Sequence, residues 1–504
     1  MSISFNNIPD TIRTPGTYAE IDNSRALQGL AQIPHKVLII GQKLAAGTEA
    51  FDILAAISND GLADGFYGAG SVLARMCNAF KNNNPNTELY AMALGSGIAG
   101  AAAGGSIMWS DMLDGDACSG IGTINLMIAG DQFKYAYTSG VTPVQIAAHF
   151  KSAINSADRS PMLAEVNAGS LYLSAKMSGT LGNYIDVRLN YYEGQQVPDT
   201  FSGVGVVSAF MSQYVSMNGG SIDPDLGDAW AVIENEQFQY IIQPYIDAAN
   251  LIEIEDELAD RYTAMEDKQG HGFTAVRGTQ ASCTALGNSR NSPHNTIIGA
   301  YDSPDCPEEW AASIGAICAA KLNNDPGRPL HFLPVKGILP PPTENRFTRS
   351  ERDILLYDGI STWLVDAGGK VMIERMITTY QTNALGILDA SYLDVTTLAT
   401  LSSIRDQYKI RMSNRFLIPR FKLADDTFPV QPGSFVATPS SIAQEIIALF
   451  AQLRDAGVIE NLDDFADNLI VERDAADRNR VNVLLPPDLI NQFRILAGLI
   501  QFIL

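Results

Sequence analysis

The sequence predicts a multidomain protein of mixed α/β and α+β class, with a discontinuous core, a β-rich inserted domain and extended ends. Three observations carry this. Between His35 and Lys321, short apolar runs suited to buried strands alternate with helical patterns. Over 96–200 that alternation gives way to segments with a period of two. The last stretch, 486–504, opens on Pro486-Pro487 and is then apolar almost throughout, which suits neither a solvated tail nor a frayed end.

Composition narrows the class of function. At 504 residues the chain exceeds one ordinary core, so about three domains are expected. The excess of 56 acidic over 34 basic residues gives a net charge of −22. Nucleic-acid binding needs a basic stripe that replaces phosphate counterions, and this balance argues against it and against an anionic membrane surface. Cys77, Cys118, Cys283, Cys306 and Cys318 are odd in number and form no C-x-x-C, so free buried thiols are expected rather than disulfides or zinc. The N-terminus lacks a secretory signal pattern. Leu89 to Ser110 is uncharged over a span-length window. Its Gly, Ala and Ser content carries little transfer energy, and a strand LYAMAL running into a flexible crossing fits better than a membrane span.

Residues 1–24 read as an extended arm, because Pro9, Pro15 and Gly16 forbid helix while Ile3, Phe5, Tyr18 and Ile21 are isolated apolar points. The first part of the core, 25–95, holds the strand Lys36 to Ile40, a short helix over Phe51 to Ile57, a helix opened by Gly68-Ala69-Gly70-Ser71, and a strand from Glu88. The glycine turn at a helix start is where a phosphate sits in nucleotide-binding folds. Here the third glycine of G-x-G-x-x-G is replaced by Leu73 and no Walker lysine is present, so capping and close packing explain the turn better.

The insertion, 96–200, contains a hairpin of Ile121 to Ile128 and Gln132 to Tyr137 about Ala129-Gly130-Asp131. Thr142-Pro143 caps a helix, and strands follow at Leu163 to Asn167, Ser170 to Lys176 and Tyr184 to Tyr191. His149 reads as a surface histidine beside that helix's apolar stripe. The second part of the core, 201–342, resumes the alternation with strands at Phe238 to Tyr245, Phe273 to Arg277 and Thr296 to Tyr301. Glu253, Glu255, Asp256, Glu257 and Asp260 lie on one helix without the Gly-turned oxygen spacing of a hard-cation loop, so a solvated face is expected. His271, His294 and His331 form no metal-ligand spacing, and no serine sits in a G-x-S-x-G elbow. No catalytic constellation and no cofactor site is found.

PVKGILPPP (334–342) is the clearest linker. Residues 343–485 are expected to form an α+β domain. It opens with a capping box, Thr348 with Glu351, and continues with a hairpin from Thr362 to Met376 and long helices over Asp394 to Arg415 and 438–456. A second hairpin pairs Leu469 to Arg473 with Val481 to Leu485 across the charged turn of Asp474, Asp477, Arg478 and Arg480. The final run places Leu489, Ile490, Phe493, Ile495, Leu496, Leu499, Ile500 and Phe502 where they need a partner, either the chain's own core or another subunit.

That final run, PPDLINQFRILAGLIQFIL, with LIVERDAADRNRVNVLLP before it, resembles the C-terminus of contractile-tail sheath proteins of Mu-like phages. The resemblance continues through ERMITTYQTNALGILDASYLDVTTLATLSSIRDQYKIR, PRFKLADD, FTAVRGT, ALGNSRNSPH and PGTYAEIDNSRA, in the expected order over nearly the whole chain. It implies a structural subunit, not an enzyme. Copies would assemble in the host cytoplasm as a helical stack of rings in the virion tail, around a tail tube, with baseplate and tail terminator proteins as further partners. It also implies that Ile3, Phe5, Tyr18 and Ile21 in one arm and the apolar residues of 486–504 in the other add strands to neighbouring subunits. The insertion would project outward as decoration, and helix 438–456 is a candidate for the tube-facing surface. The competing reading from the residues is a soluble α/β enzyme with a nucleotide or small acidic ligand at Gly68 to Ser71, which rests on fold-level analogy.

Overall fold

A computed structural model describes residues 13–17, 30–31, 33–59, 61–95, 100–109, 116–195, 215–431 and 434–503. The chain divides into two units. One holds residues 34–402 and 491–504, the other holds residues 403–490 with those before 34.

The larger unit is built on an eight-stranded sheet. Its first strands are β1 (Lys36–Gly41), β2 (Ala55–Ala56) and β3 (Glu88–Ala93), with helices α1 (Leu62–Tyr67) and α2 (Val72–Asn83) between β2 and β3. The expected helix over Phe51 to Ile57 is instead extended. Asp52 takes a left-handed φ of 56°, and the amides of Asp52 and Ile57 donate to Ala93 and Leu89, so sheet-edge pairing overrides a run too short to nucleate helix.

The insertion carries β4 (Ala102–Met108), β5 (Gly122–Ile128), β6 (Asp131–Tyr137), α3 (Pro143–Ser156), β7 (Met162–Asn167), β8 (Ser170–Ser178) and β9 (Val187–Leu189). They form two three-stranded sheets, β4-β8-β7 and β6-β5-β9. The hairpin β5–β6 turns on Ala129 and Gly130, both at positive φ as a type I′ turn demands. The stretch expected as a flexible crossing is the strand β4. Its glycines admit a neighbouring chain, since a Cβ on Gly105 would lie 2.6 Å from Met217 Sδ. Residues Thr180–Tyr184 make a 3-10 turn, which shortens the strand expected from Tyr184. Trp109 stacks on Phe150 of α3 at 5.4 Å in the insertion's own core, and burying such a ring contributes about 1.5–3 kcal/mol.

The core then resumes with α4 (Gly227–Ile233), β10 (Tyr240–Ile242), α5 (Ala248–Tyr262), β11 (His271–Val276), α6 (Gln280–Asn288), β12 (Asn295–Gly299), α7 (Pro307–Asn324), α8 (Arg349–Tyr357), β13 (Ile360–Val365) and β14 (Val371–Arg375). The strand order is β14-β13-β12-β11-β10-β1-β3-β2, parallel except at its two edges. Every residue of β11 and β12 is buried, as expected of strands covered on both faces.

The hairpin β13–β14 therefore extends the large sheet rather than belonging to a separate C-terminal domain. Ile297 pairs with Ile360 in parallel, and Trp363 Nε1 donates to Gly299 O at 2.6 Å. One edge of the large sheet is covered and the other is very short. β2 is two residues long, and beside β14 the chain at Phe332 to Val335 donates from Phe332 and Val335 while Pro334 offers no N–H.

Helix α9 (Val395–Met412) contains the division between the units. The smaller unit continues with β15 (Lys422–Leu423), β16 (Val436–Ala437), α10 (Pro439–Asp455), β17 (Ile459–Glu460), α11 (Leu462–Asn468), β18 (Ile470–Arg473), β19 (Val481–Leu484) and β20 (Asp488–Leu489). Thr438 caps α10 with Pro439 following, as the sequence predicts. Ile446, Leu449, Phe450 and Leu453 of α10 face Phe465, whose ring stacks on Phe450 at 3.9 Å.

Candidate assembly surface

The C-terminal segment has two parts with different chemistry. Pro486 and Pro487 end β19, and the chain then pairs antiparallel with β17, placing Leu489 opposite Ile459 and Asp488 opposite Glu460. Asn461 Nδ2 donates to Asp488 Oδ2 at 2.6 Å, and the Ile490 amide donates to Val458 O at 3.2 Å. Leu489 is thus half-buried in its own unit. Ile490 is 41% exposed.

Beyond Asn491 the described chain forms neither helix nor strand, and side chains hold it to the larger unit. Gln492 Nε2 donates to Thr396 Oγ1, and Gln492 Oε1 accepts from Arg494 Nη2 at 2.6 Å. Arg494 Nη2 lies 2.8 Å from Asp394 Oδ2, and Asp394 also receives Arg375 Nε at 3.1 Å. Phe493, Ile495, Leu496, Leu499, Ile500, Phe502 and Ile503 are 72–99% exposed. An apolar run in water is unfavourable, and exposed apolar patches of this kind are typical of binding surfaces. Ile3, Phe5, Tyr18 and Ile21 lie outside the described residues.

Asp394, Thr396 and Gln492 carry no sequence signal that singles them out. Arg494 does, as the one charge after Asp488 in an apolar run.

At the carboxyl ends of β11 and β12, side chains of the insertion take the place where an α/β enzyme binds its ligand. In open sheets, ligands sit outside the carboxyl ends of the strands. There Arg277, after β11, and Asp302, after β12, meet Asp186 and Arg188 of the insertion. Arg188 Nε lies 2.5 Å from Asp186 Oδ1, and Arg188 Nη2 lies 3.1 Å from Asp302 Oδ1. Arg277 pairs with Asp186 and donates to Tyr184 O at 3.1 Å. Burial pulls the Arg188 guanidinium down, but Asp186 and then Asp302 outweigh it and hold it above its ordinary range.

At the glycine turn, Ser71 Oγ accepts from the Ala74 amide at 3.1 Å and caps α2. A Cβ on Gly70 would lie 2.5 Å from Ser160 O and 3.0 Å from Asp158 O. Lys176 Nζ lies 3.1 Å from the same point, so the insertion packs closely against the turn, and that close approach explains the glycine there.

Two expectations about charged side chains divide. His149 is exposed, stacked on Tyr135 at 4.3 Å. Glu255, expected on a solvated face, is buried and pairs with Arg290 at 2.6 Å, because α5 turns that one carboxylate inward. All five cysteines are buried and none is in a disulfide. Among the described residues no cluster of His, Cys, Asp or Glu is arranged to hold a metal, and no helix is long and apolar enough to cross a membrane.

Residues 219–379 match the model of the phage tail sheath protein central domain, and residues 388–503 match that of the phage tail sheath C-terminal domain. The chain is 38% identical over 504 residues to the Mu-like prophage FluMu tail sheath protein of Haemophilus influenzae, covering 100% of both chains. Among solved structures it is similar to a sheath tail protein from Listeria innocua, with a TM-score of 0.47, 13% identity, and 92% of this chain and 94% of that one covered. A sheath tail protein from Desulfitobacterium hafniense gives a TM-score of 0.46 and 13% identity, with 94% and 100% covered. An end-to-end relative at this identity settles the family, and with it the choice between lattice and catalyst: the chain belongs to the phage tail sheath proteins, structural subunits of contractile tails rather than enzymes.

Proposed function

We propose that copies of this chain polymerise as a helical stack of rings around a tail tube, bridged by their terminal arms, and that contraction of the stack drives the tube through the host envelope. The observation that carries this reading is the apolar run Ile495 to Ile503, outside any helix or strand of its own subunit and exposed to solvent. Each arm would add a strand to a small sheet of a neighbouring copy. The covered β14 edge and the two-residue β2 edge of the eight-stranded sheet favour the smaller unit as the acceptor, where the hairpin β18–β19 has two strands. A contact between an arm on one side and an acceptor on another is heterologous, and heterologous contacts build open helices. Contraction is then repacking between two lattice states with the arms as hinges.

In this reading residues 1–24 and 486–504 link, the core parts 25–95 and 201–342 carry load, and 96–200 projects outward as decoration. Within 343–485 the residues after 402 make the assembly surface. Baseplate and tail terminator proteins bound the stack, and assembly takes place in the host cytoplasm. Helix α10 is the candidate tube-facing surface, tested by reversing the charges of Arg454 and Asp455 and measuring tube docking.

The experiment is negative-stain electron microscopy of the full chain, alone and co-expressed with a tail tube protein, beside a chain ending at Pro487. Hollow tubes from the full chain and dispersed folded subunits from the truncation are expected. Equal tube formation by both refutes the linking role, and no tubes from either preparation refutes helical assembly.

A further inference from the structure

We propose that Asp394 is the fixed root of the C-terminal arm: residues up to Arg494 stay on their own subunit in the assembled sheath, and only Ile495 to Ile503 cross to a second copy. This rests on the linking role given above and divides the arm within it.

The division follows from where the bonds stop. Gln492 binds Thr396 and accepts from Arg494, and Arg494 reaches Asp394 at 2.8 Å. Past Arg494 no hydrogen bond or ion pair holds the described chain, and every large apolar side chain is exposed.

The anchor is itself held. Asp394 forms an antiparallel bridge with Ile377, the Thr378 amide donates to Leu393 O at 2.8 Å, and Arg375 of the sheet-edge strand β14 takes the same carboxylate at 3.1 and 3.2 Å. A carboxylate pinned by sheet and guanidinium is a rigid post, and a charge-assisted bond to it fixes the direction in which the arm leaves. A pull from a neighbour would then load the edge of the large sheet.

The crossing part has the chemistry of an added strand. Ile495-Leu-Ala-Gly-Leu-Ile-Gln-Phe-Ile503 carries no charge. Extended, it reaches about 30 Å, at roughly 3.3 Å per residue, enough to line a sheet edge of a second copy.

The test uses Arg494→Lys, which keeps the charge and gives an amine that a zero-length carbodiimide joins to the Asp394 carboxylate. Tubes are built from a mixture of isotopically light and heavy subunits of this variant, and the peptides cross-linked between the introduced amine and Asp394 are read by mass spectrometry. Cross-links of a single label, in free subunits and tubes alike, are expected. Mixed-label cross-links in tubes overturn the proposal, as does the lack of this cross-link in both states. A chain ending at Arg494 separates the two levels. If it builds tubes as well as the full chain, the linking role itself fails and the crossing segment with it. If it does not, the cross-link alone decides where the arm is rooted.

Discussion

Arg75 Nη2 lies 2.7 Å from Glu309 Oε2, joining the first turn of α2 to the first turn of α7, while Arg75 Nη1 takes Glu308 at 3.3 Å. One guanidinium thus serves two carboxylates at a helix N-terminus, where acidic side chains are already favoured. Arg75 and Glu308 are buried. Arg75→Ala leaves a buried carboxylate without its cation and is expected to cost about 3–5 kcal/mol in urea unfolding. An unchanged midpoint would show the pair to be energetically idle.

Acid lability follows from two histidines. Burial pushes His35 down to about 4, and burial with neighbouring His294 pushes His271 down to about 3. Unfolded histidine titrates near 6.5, so in the interval below that value the unfolded chain binds more protons than the folded one. Their contribution is present above the unfolded value and is lost as pH falls toward the folded values, at up to about 1.4 kcal/mol per pH unit for each histidine. Unfolding midpoints measured from pH 7 to 4 are expected to fall, and His35→Gln is expected to flatten the slope. A slope that His35→Gln leaves unchanged would remove His35 from this account.

A buried carboxylate works in the opposite sense. Asp305 lies under the hairpin turn, where a Cβ on Gly130 would fall 2.2 Å from its Oδ1, and its Oδ2 accepts from the Leu339 amide at 2.5 Å. Burial first, then Glu309, raises it well above the usual carboxylate range. A proton held more tightly in the folded state stabilises at low pH and is lost as pH rises through the folded value. Asp305→Asn is therefore expected to remove part of the loss of stability that sets in as pH rises above the unfolded carboxylate value of about 3.9, read as the difference in unfolding midpoint between about pH 4 and 7. Parallel curves for the two proteins would contradict it.

Gly287 closes α6 against the turn before β13. A Cβ there would lie 1.9 Å from Asp358 O and 3.0 Å from Ile360 Cγ1. Gly287→Ala must push backbone away from backbone and is expected to cost about 1–3 kcal/mol, although alanine is the better helix former. Thermal unfolding decides, and a stabilised variant would mean that β13 can shift freely.

Like charge opposes assembly of a chain at −22. Screening shortens that repulsion to about 10 Å at 0.1 M salt, so polymerisation followed by light scattering is expected to speed up from low to physiological salt. Slower assembly with added salt would instead show that attractive ion pairs between copies dominate.

Much of the architecture was legible because it is local. The capping boxes at Thr142, Thr348 and Thr438, the I′ turn at Ala129-Gly130 and the hairpin β18–β19 each stand in a few consecutive residues. The short run over Phe51 to Ile57 misled for the complementary reason. Its helical look was local, while the amide partners that make it extended lie on β3.

From sequence alone came the buried strands alternating with helices, the inserted β-rich unit, the absence of catalytic spacing, and the apolar arm with its resemblance to sheath proteins. Only the tertiary structure decided that β13–β14 extends the large sheet, that Glu255 turns inward to Arg290, and that Arg494 is held by Asp394. Periodicity records which face of an element is apolar, but not which distant element covers it. Pairings such as Arg494 with Asp394 are set by where the folded chain brings two charges together, and no local pattern encodes that distance.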